Sequence, residues 1–156
     1  MPFIQASRDA ILKPLMTVAG IVEKRHTMPI LANVMMRKDA ERVSFLASDA
    51  EIQISTTAEL GTGSESAATT VSARKLIDIL RALPENIDVT LRVDDKRATI
   101  QAGRSRFTLQ TMPVEDFPTL KTDHDWPASF TLAQKQLRRS EEHTSELQSR
   151  QYLVCR

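Results

Sequence analysis

Cationic side chains at helical spacing are the residues of this sequence best placed to do chemistry. The segment SARKLIDILRALP, residues 72–84, carries three basic residues, Arg74, Lys75 and Arg81, against a single acid. At about 100° per residue its apolar side chains share one face, while Arg74 and Arg81 stand on the opposite one. A basic helix face can hold phosphates without reading bases, or it can simply be solvated. Charge alone leaves both interpretations open.

A second basic helix is predicted over residues 8–24. Its apolar side chains share one side, and Lys13 and Lys24 lie on a thin strip on the other. Pro14 falls inside it, so we expect a lost backbone hydrogen bond and a bend there. Both helices are net positive, whereas residues 1–126 as a whole are net negative. Positive charge is therefore concentrated on these two helices.

Groups that would support catalysis or metal binding do not form a pattern. The chain has one cysteine and three histidines without ligand spacing: Cys155, His26, His124 and His143. We therefore expect no metal and no cofactor. Asp49 and Glu51 could act as a carboxylate pair on one face of a strand, which would make the protein a small enzyme. An exposed strand edge explains them better, so a non-catalytic protein is expected.

The composition is that of an ordinary globular protein. The 156 residues are 41% hydrophobic and 26% charged. No run approaches the roughly 20 apolar residues of a membrane span. The N-terminus lacks the apolar core of a signal peptide, and a lone cysteine suits a reducing compartment. These features predict a cytoplasmic protein.

The elements that must position the basic residues occur in a repeated order. The pattern predicts a strand at 2–6, a helix at 8–24 and three strands up to residue 60. The same order returns as a strand at 67–72, a helix at 73–83 and three strands up to residue 111. Among these, ILANVMMR at 30–37 is read as a strand covered on both faces. The repeat predicts an α+β domain of two halves related by a pseudo-twofold axis, with strands outside and both helices on one face.

Five segments carry a resemblance to a known family: LKPL at 12–15, RHTMPILANV at 25–34, FLASDAEIQI at 45–54, ATTVSARKLIDILRALP at 68–84 and GRSRFTLQTMPVEDFP at 103–118. Through them, residues 1 to about 139 closely resemble the N-terminal part of the bacterial DNA polymerase III β subunit family, the sliding clamps. The resemblance implies a DNA-clamp fold with antiparallel sheets outside and two helices on the inner face. It also implies a processivity factor, a non-catalytic subunit of the polymerase holoenzyme. Two chains would close head to tail around duplex DNA, with the polymerase III alpha subunit and the clamp loader as partners.

The resemblance also implies roles for individual residues. The implied DNA-facing residues are Lys13, Lys24, Arg25, Arg74 and Arg81, with Arg25 at the position of the family's DNA-contacting arginine. The implied ring-interface residues are Lys75, Arg104, Arg106, Phe107 and Leu109. For Phe107 and Leu109 the alternative is plain core packing, because both point to one face of an alternating strand.

The resemblance ends inside a second domain. We expect a clamp N-terminal domain at 1–120, a linker at 121–128, the start of a second clamp domain at 129–139 and a non-native tail at 140–156. The tail is polar, with Leu147 its only strong apolar residue between 140 and 151, and it resembles a translated sequencing adaptor. The alternative is a genuine polar tail. The chain is thus expected to be a truncated fragment, and a monomer because it lacks the second ring surface.

A third functional class stays open beside the clamp and the small enzyme. The chain could be a protein-interaction module of replication or repair that makes no direct contact with DNA. Retention on duplex DNA that depends on salt would separate the clamp from this module.

Overall fold

The computed structural model describes residues 2–22, 28–94, 96–120 and 131. The chain divides into two compact units, Met1–Leu120 and Lys121–Arg156. All helices and strands described below belong to the first unit. The predicted linker, second-domain segment and tail lie outside the described residues, apart from Thr131.

Within the described residues, eight strands form a single antiparallel sheet in the order β1-β6-β7-β8-β5-β2-β3-β4. The strands are β1 (Ile4–Ser7), β2 (Asn33–Asp39), β3 (Arg42–Ser48), β4 (Gln53–Glu59), β5 (Ala67–Ser72), β6 (Asp88–Asp94), β7 (Arg97–Ala102) and β8 (Ser105–Met112). The helices are α1 (Arg8–Ala19) and α2 (Ala73–Ala82), and two 3-10 turns cover Pro29–Ala32 and Val114–Asp116. The predicted order of strand, helix and three strands, occurring twice, is confirmed.

The sheet curls so that its two ends approach each other. Ile4 of β1 forms a bridge with Gly61, just beyond β4, and the Gln5 amide donates to the Leu60 carbonyl at 3.4 Å. Gly61 has no room for a side chain, because an added Cβ would lie 2.3 Å from the Ala40 carbonyl oxygen. A glycine is therefore required where the chain returns from β4 toward β1.

Both helices cover the same face of this sheet. Their apolar stripes enter one core, in which Leu15 of α1 and Leu80 of α2 are fully buried together with Phe45 of β3. Burying a leucine side chain contributes about 1.5–3 kcal/mol, so these stripes fix both helices on the sheet. Position by position, α2 repeats α1 65 residues later, which makes Leu15 and Leu80 counterparts.

The first half departs from its predicted boundaries in three places. The first strand, β1, spans Ile4–Ser7 rather than residues 2–6. α1 ends at Ala19 rather than at residue 24, and residues 23–27 lie outside the described residues. The segment read as one strand at 30–37 begins as a 3-10 turn, because Pro29 fixes its φ angle at the first position of that turn. The strand proper, β2, is covered on both faces as predicted: Met36 packs in the main core, and Met35 packs with Phe117 on the other side.

The serine that precedes each helix does not have the same function in both halves. The Ser7 hydroxyl accepts a hydrogen bond from the Ala10 amide at 3.4 Å, as expected of an N-cap. Ser72 stands at the N-cap of α2, but its side chain makes no capping hydrogen bond. The two helices therefore start differently, although a serine precedes each of them.

Candidate nucleic-acid interface

The exposed residues of α1 form a stripe opposite its apolar face. Lys13, Met16, Thr17 and Gly20 are exposed and recur at the three- and four-residue spacing of one helix side. The Thr17 hydroxyl donates to the Lys13 carbonyl oxygen at 3.1 Å, a local bond along the helix. The Lys13 ammonium makes no hydrogen bond or ion pair within the described residues and faces solvent.

The exposed residues of α2 lie next to that stripe. An Arg81 Nη2 donates to the Met16 Sδ at 3.8 Å, across the gap between the helices. A groove of about 350 Å³ runs there, with Met16 and Gly20 on one side and Arg74 and Arg81 on the other. Both basic strips therefore lie on one surface of the domain, as predicted. We call this surface the helix surface: Lys13, Met16, Thr17 and Gly20 of α1 with Arg74, Asp78 and Arg81 of α2.

Arg74 and Lys75 are exposed cations without an internal partner in the described part of the chain. Asp78 is exposed between the two arginines of α2, so the helix surface is mainly but not wholly positive. Such side chains reach a phosphate at little cost in desolvation, and each contributes weakly at physiological salt. Lys24 and Arg25, the other two predicted DNA contacts, lie outside the described residues.

Arg8 is not part of the helix surface, although it adds to the charge of the first helix. Its side chain is only 13% exposed, and its Nε donates to the Leu80 carbonyl oxygen at 2.9 Å. Its Nη1 also lies 3.5 Å from an Asp9 carboxylate oxygen. Arg8 therefore joins the start of α1 to the last turn of α2. Only the packing of the two helices reveals this, because the partners are 72 positions apart.

The predicted ring-interface residues fall into two environments. Arg104 and Arg106 are exposed around the start of β8, and Lys75 is exposed on α2. Phe107 is half-buried and packs against the main core while part of it stays exposed. Leu109 is only 9% exposed and belongs to the core itself. For Leu109 the structure favours the core-packing alternative, which leaves Phe107 as the apolar side chain that a partner could contact.

Asp49 and Glu51 are not placed on one strand face, as the carboxylate-pair alternative assumed. They lie in the turn between β3 and β4 rather than on a strand. An Asp49 carboxylate oxygen accepts from the Glu51 amide at 2.9 Å and from the Ile52 amide at 2.6 Å, so this carboxylate shapes the turn.

In the parts of the chain that the structure describes, no group of acids, histidines or cysteines could hold a metal ion. None of the described helices is long and apolar enough to cross a membrane.

A curled antiparallel sheet made of two equivalent halves, with two basic-faced helices on one side, defines a domain of the DNA-clamp class. Residues 1–121 match the family model of the DNA polymerase III beta subunit, N-terminal domain. The chain belongs to that family.

Individual relatives agree with this assignment. The beta sliding clamp of Pseudomonas aeruginosa is 41% identical over 140 residues, which are 88% of this chain and 37% of that protein. The beta sliding clamp of Escherichia coli K12 is 38% identical over 139 residues, with the same coverage. The crystal structure of DNA polymerase III subunit beta from P. aeruginosa superposes with a TM-score of 0.80 over 89% of this chain and 37% of that one. The chain thus spans a little over a third of the length of these relatives.

Proposed function

We propose that this chain is the N-terminal part of a bacterial sliding clamp, the processivity factor of the replicative DNA polymerase. The helix surface faces duplex DNA and contacts its phosphates without reading bases. The chain supplies binding surface and catalyses no reaction. The single observation that carries the proposal is the groove between α1 and α2, where Arg74 and Arg81 point to the same exposed side as the Lys13 stripe.

The weakness of the individual contacts suits a clamp. A protein that must slide needs attraction to every phosphate and strong attachment to none. In the ring, retention comes from enclosure of the DNA, so separate lysines and arginines can remain solvated. The exposed and internally unpaired state of Lys13 and Arg74 supports this arrangement.

The partners of the whole protein follow from the same proposal. A head-to-tail ring needs a second surface, and Arg104, Arg106 and Phe107 at β8 supply one side of that contact. The polymerase III alpha subunit and the clamp loader act on the assembled ring. Because the ring acts on chromosomal DNA, its place is the cytoplasm.

The proposal is tested by measuring the affinity of this chain for duplex DNA against salt concentration. Affinity is expected near the weak end of the non-specific range, about 10⁻⁴ M at physiological salt, and should strengthen as salt is lowered. In the Arg74→Gln/Arg81→Gln variant the slope of log affinity against log salt should fall by about one to two, since each lost phosphate contact removes about 0.9. Two unrelated duplexes should give the same result.

Arg92→Gln is the matched control. Arg92 is an exposed arginine on β6, whose core-facing neighbours are Val89 and Leu91, so Arg92 points to the sheet face away from the helices. Its replacement removes one positive charge, where the double variant removes two, and should leave the salt slope unchanged. An equal loss of slope per removed charge in both variants would reduce the effect to net charge and contradict a DNA-facing helix surface. Arg25→Ala, measured in the same series, tests the predicted contact outside the described residues.

A further inference from the structure

The groove between α1 and α2 has an apolar interior as well as a charged rim. The interior is formed by Ala19 and Gly20 of α1 and by Ala73 and Ile77 of α2, of which Ala73 is buried and Ile77 is half-buried. Nothing lies within 4 Å of a Cβ added at Gly20, so the space beside that residue is open. At about 350 Å³ the groove lies in the size range of sites for small ligands. Phosphate contact uses the arginines at the rim and leaves this interior unoccupied.

One end of the groove carries two groups that pack favourably on aromatic rings. The Arg81 guanidinium, whose Nη2 lies 3.8 Å from the Met16 Sδ, is planar and stacks on aromatic faces. The Met16 side chain is 46% exposed, and a thioether sulfur makes favourable contacts with the edges of aromatic rings. The small residues Ala19 and Gly20 line the same groove and leave space for a flat ring. This end of the groove therefore favours an aromatic ligand over an aliphatic one.

The arrangement of charges along α2 suits a ligand with a single negative group. Arg74 precedes Arg81 by seven residues, which corresponds to about 10 Å along a helix axis. Arg74 is exposed and has no ion-pair partner within the described residues, so it can bind a carboxylate. Asp78 lines the groove between the two arginines and repels a second negative group. The groove interior therefore favours a monoanion over a polyanion such as a nucleic-acid strand.

We propose that the groove between α1 and α2 binds a small planar aromatic monoanion. The ring lies against Met16, Arg81 and the small residues of the groove, and the carboxylate binds Arg74. The ligand is a free molecule rather than a nucleotide of the bound DNA. Because it occupies both arginines, it competes with phosphates for them. Its binding does not depend on DNA contact, so it goes beyond the proposed function and is tested separately.

The test is a titration of the full, isotopically labelled chain with indole-3-acetate, a planar aromatic carboxylate, followed by the backbone amide signals in NMR spectra. The amide signals of Gly20 and Ile77 should shift. The dissociation constant is expected to be about 1 mM, because a small ligand in an open groove gains little free energy per atom. Indole-3-acetamide has the same ring without the charge, and acetate has the charge without the ring. Each should bind at least fivefold more weakly than indole-3-acetate.

Gly20→Leu is the most informative variant, because it fills the groove and changes no charge. It should weaken indole-3-acetate binding at least tenfold. Thermal melts should show that the variant is folded, since Gly20 has an ordinary helical conformation. Ala82→Leu is the matched control, because it adds the same side chain at an exposed position of α2 outside the groove, and it should bind as wild type does.

Arg74→Gln provides a second variant that does not depend on filling the groove. It should weaken indole-3-acetate binding at least threefold and leave the binding of indole-3-acetamide unchanged, because only the first ligand carries a carboxylate. Arg92→Gln, on the outer sheet face, should change neither. Equal binding of the two indole compounds to wild type would remove the role of Arg74 and overturn the proposal.

Three further results would overturn the proposal. The first is that the Gly20 and Ile77 amide signals stay unchanged at about ten times the expected dissociation constant, which includes the case in which another segment of the chain fills the groove. The second is that Gly20→Leu binds as wild type does. The third is that a single-stranded oligonucleotide shifts the same signals at lower concentration, which would make the groove a nucleotide site. The titration with indole-3-acetate contains no DNA, so its outcome leaves the salt slope of Arg74→Gln/Arg81→Gln unaffected.

Discussion

The two halves of the domain share one plan and differ at the positions that connect them. Leu15 on α1 and Leu80 on α2 are counterparts, and both are fully buried. Met16 and Arg81 are counterparts too, yet one is a thioether and the other a cation, and they contact each other across the groove. The repeat therefore reproduces the core, while unlike residues at equivalent sites produce the surface between the helices.

Further differences lie on the strands and at the helix starts. Lys38 on β2 is buried and donates to the Thr62 carbonyl oxygen, whereas the corresponding core-facing site on β6 holds Val93. Arg8 begins α1 and bonds to α2, whereas Ala73 begins α2 and is simply buried. A repeated fold thus tolerates unequal residues at equivalent sites where a buried polar group finds a hydrogen-bond partner.

The largest expected effect tests whether the halves share one core. Leu15→Ala and Leu80→Ala should each lower the free energy of unfolding by about 3–5 kcal/mol, because each leaves a cavity in the same packed interior. Urea denaturation gives both values, and each curve should show one transition. Leu120→Ala, at an exposed leucine, should cost less than about 0.5 kcal/mol. Two separate transitions in either core variant would mean that the halves unfold independently.

A smaller loss of folding stability should follow when the hydrogen bond between α1 and α2 is removed. Arg8→Gln removes the bond from Nε to the Leu80 carbonyl, a charged hydrogen bond at a partly buried site, and should cost about 1.5 kcal/mol. The same denaturation measurement applies. Arg92→Gln serves again as the control, since Arg92 is exposed on the outer sheet face. If the two arginine variants were equally stable, the Arg8 contact would contribute nothing to holding the helices together.

The two serines sharpen the comparison further. Ser7→Ala should lower stability by about 0.5–1 kcal/mol, because it removes the acceptor of the Ala10 amide. Ser72→Ala should change stability by less, because the Ser72 hydroxyl caps no amide of α2. Thermal melts of both single variants and of the double variant measure these two losses of stability. An equal loss from each serine would be inconsistent with the difference seen between the helix starts.

The smallest effect concerns how the helices end. Gly20 has φ −60° and ψ −28°, an ordinary helical conformation, and nothing lies within 4 Å of a Cβ added there. Gly20→Ala should therefore raise stability by about 0.5 kcal/mol, chiefly by restricting the unfolded chain. Gly103→Ala provides the contrast, because Gly103 has φ +55°, and a side chain there should lower the stability of the folded protein. A loss of stability in Gly20→Ala would show that this site needs glycine for another reason.

Local patterns in the sequence determined most of the architecture. The stripes of α1 and α2 follow from apolar side chains repeating at helical spacing, and the strands follow from alternation, so faces and order could be predicted. The resemblance to the clamp family supplied the fold name and the candidate residues, of which Lys13, Arg74, Lys75, Arg81, Arg104 and Arg106 are exposed. Their roles in DNA binding and ring closure remain predictions.

Contacts between residues far apart in the chain were decided only by the tertiary structure. Periodicity says which side of an element is apolar, but not which element packs against it, since that depends on strand order and helix position. Thus the sequence alone suggests that Arg8 is a surface cation. The tertiary structure places the last turn of α2 beside it, where Arg8 donates to the Leu80 carbonyl oxygen. Leu109 and Phe107 share one face of β8, yet packing against the core makes Leu109 a core residue and leaves Phe107 partly exposed.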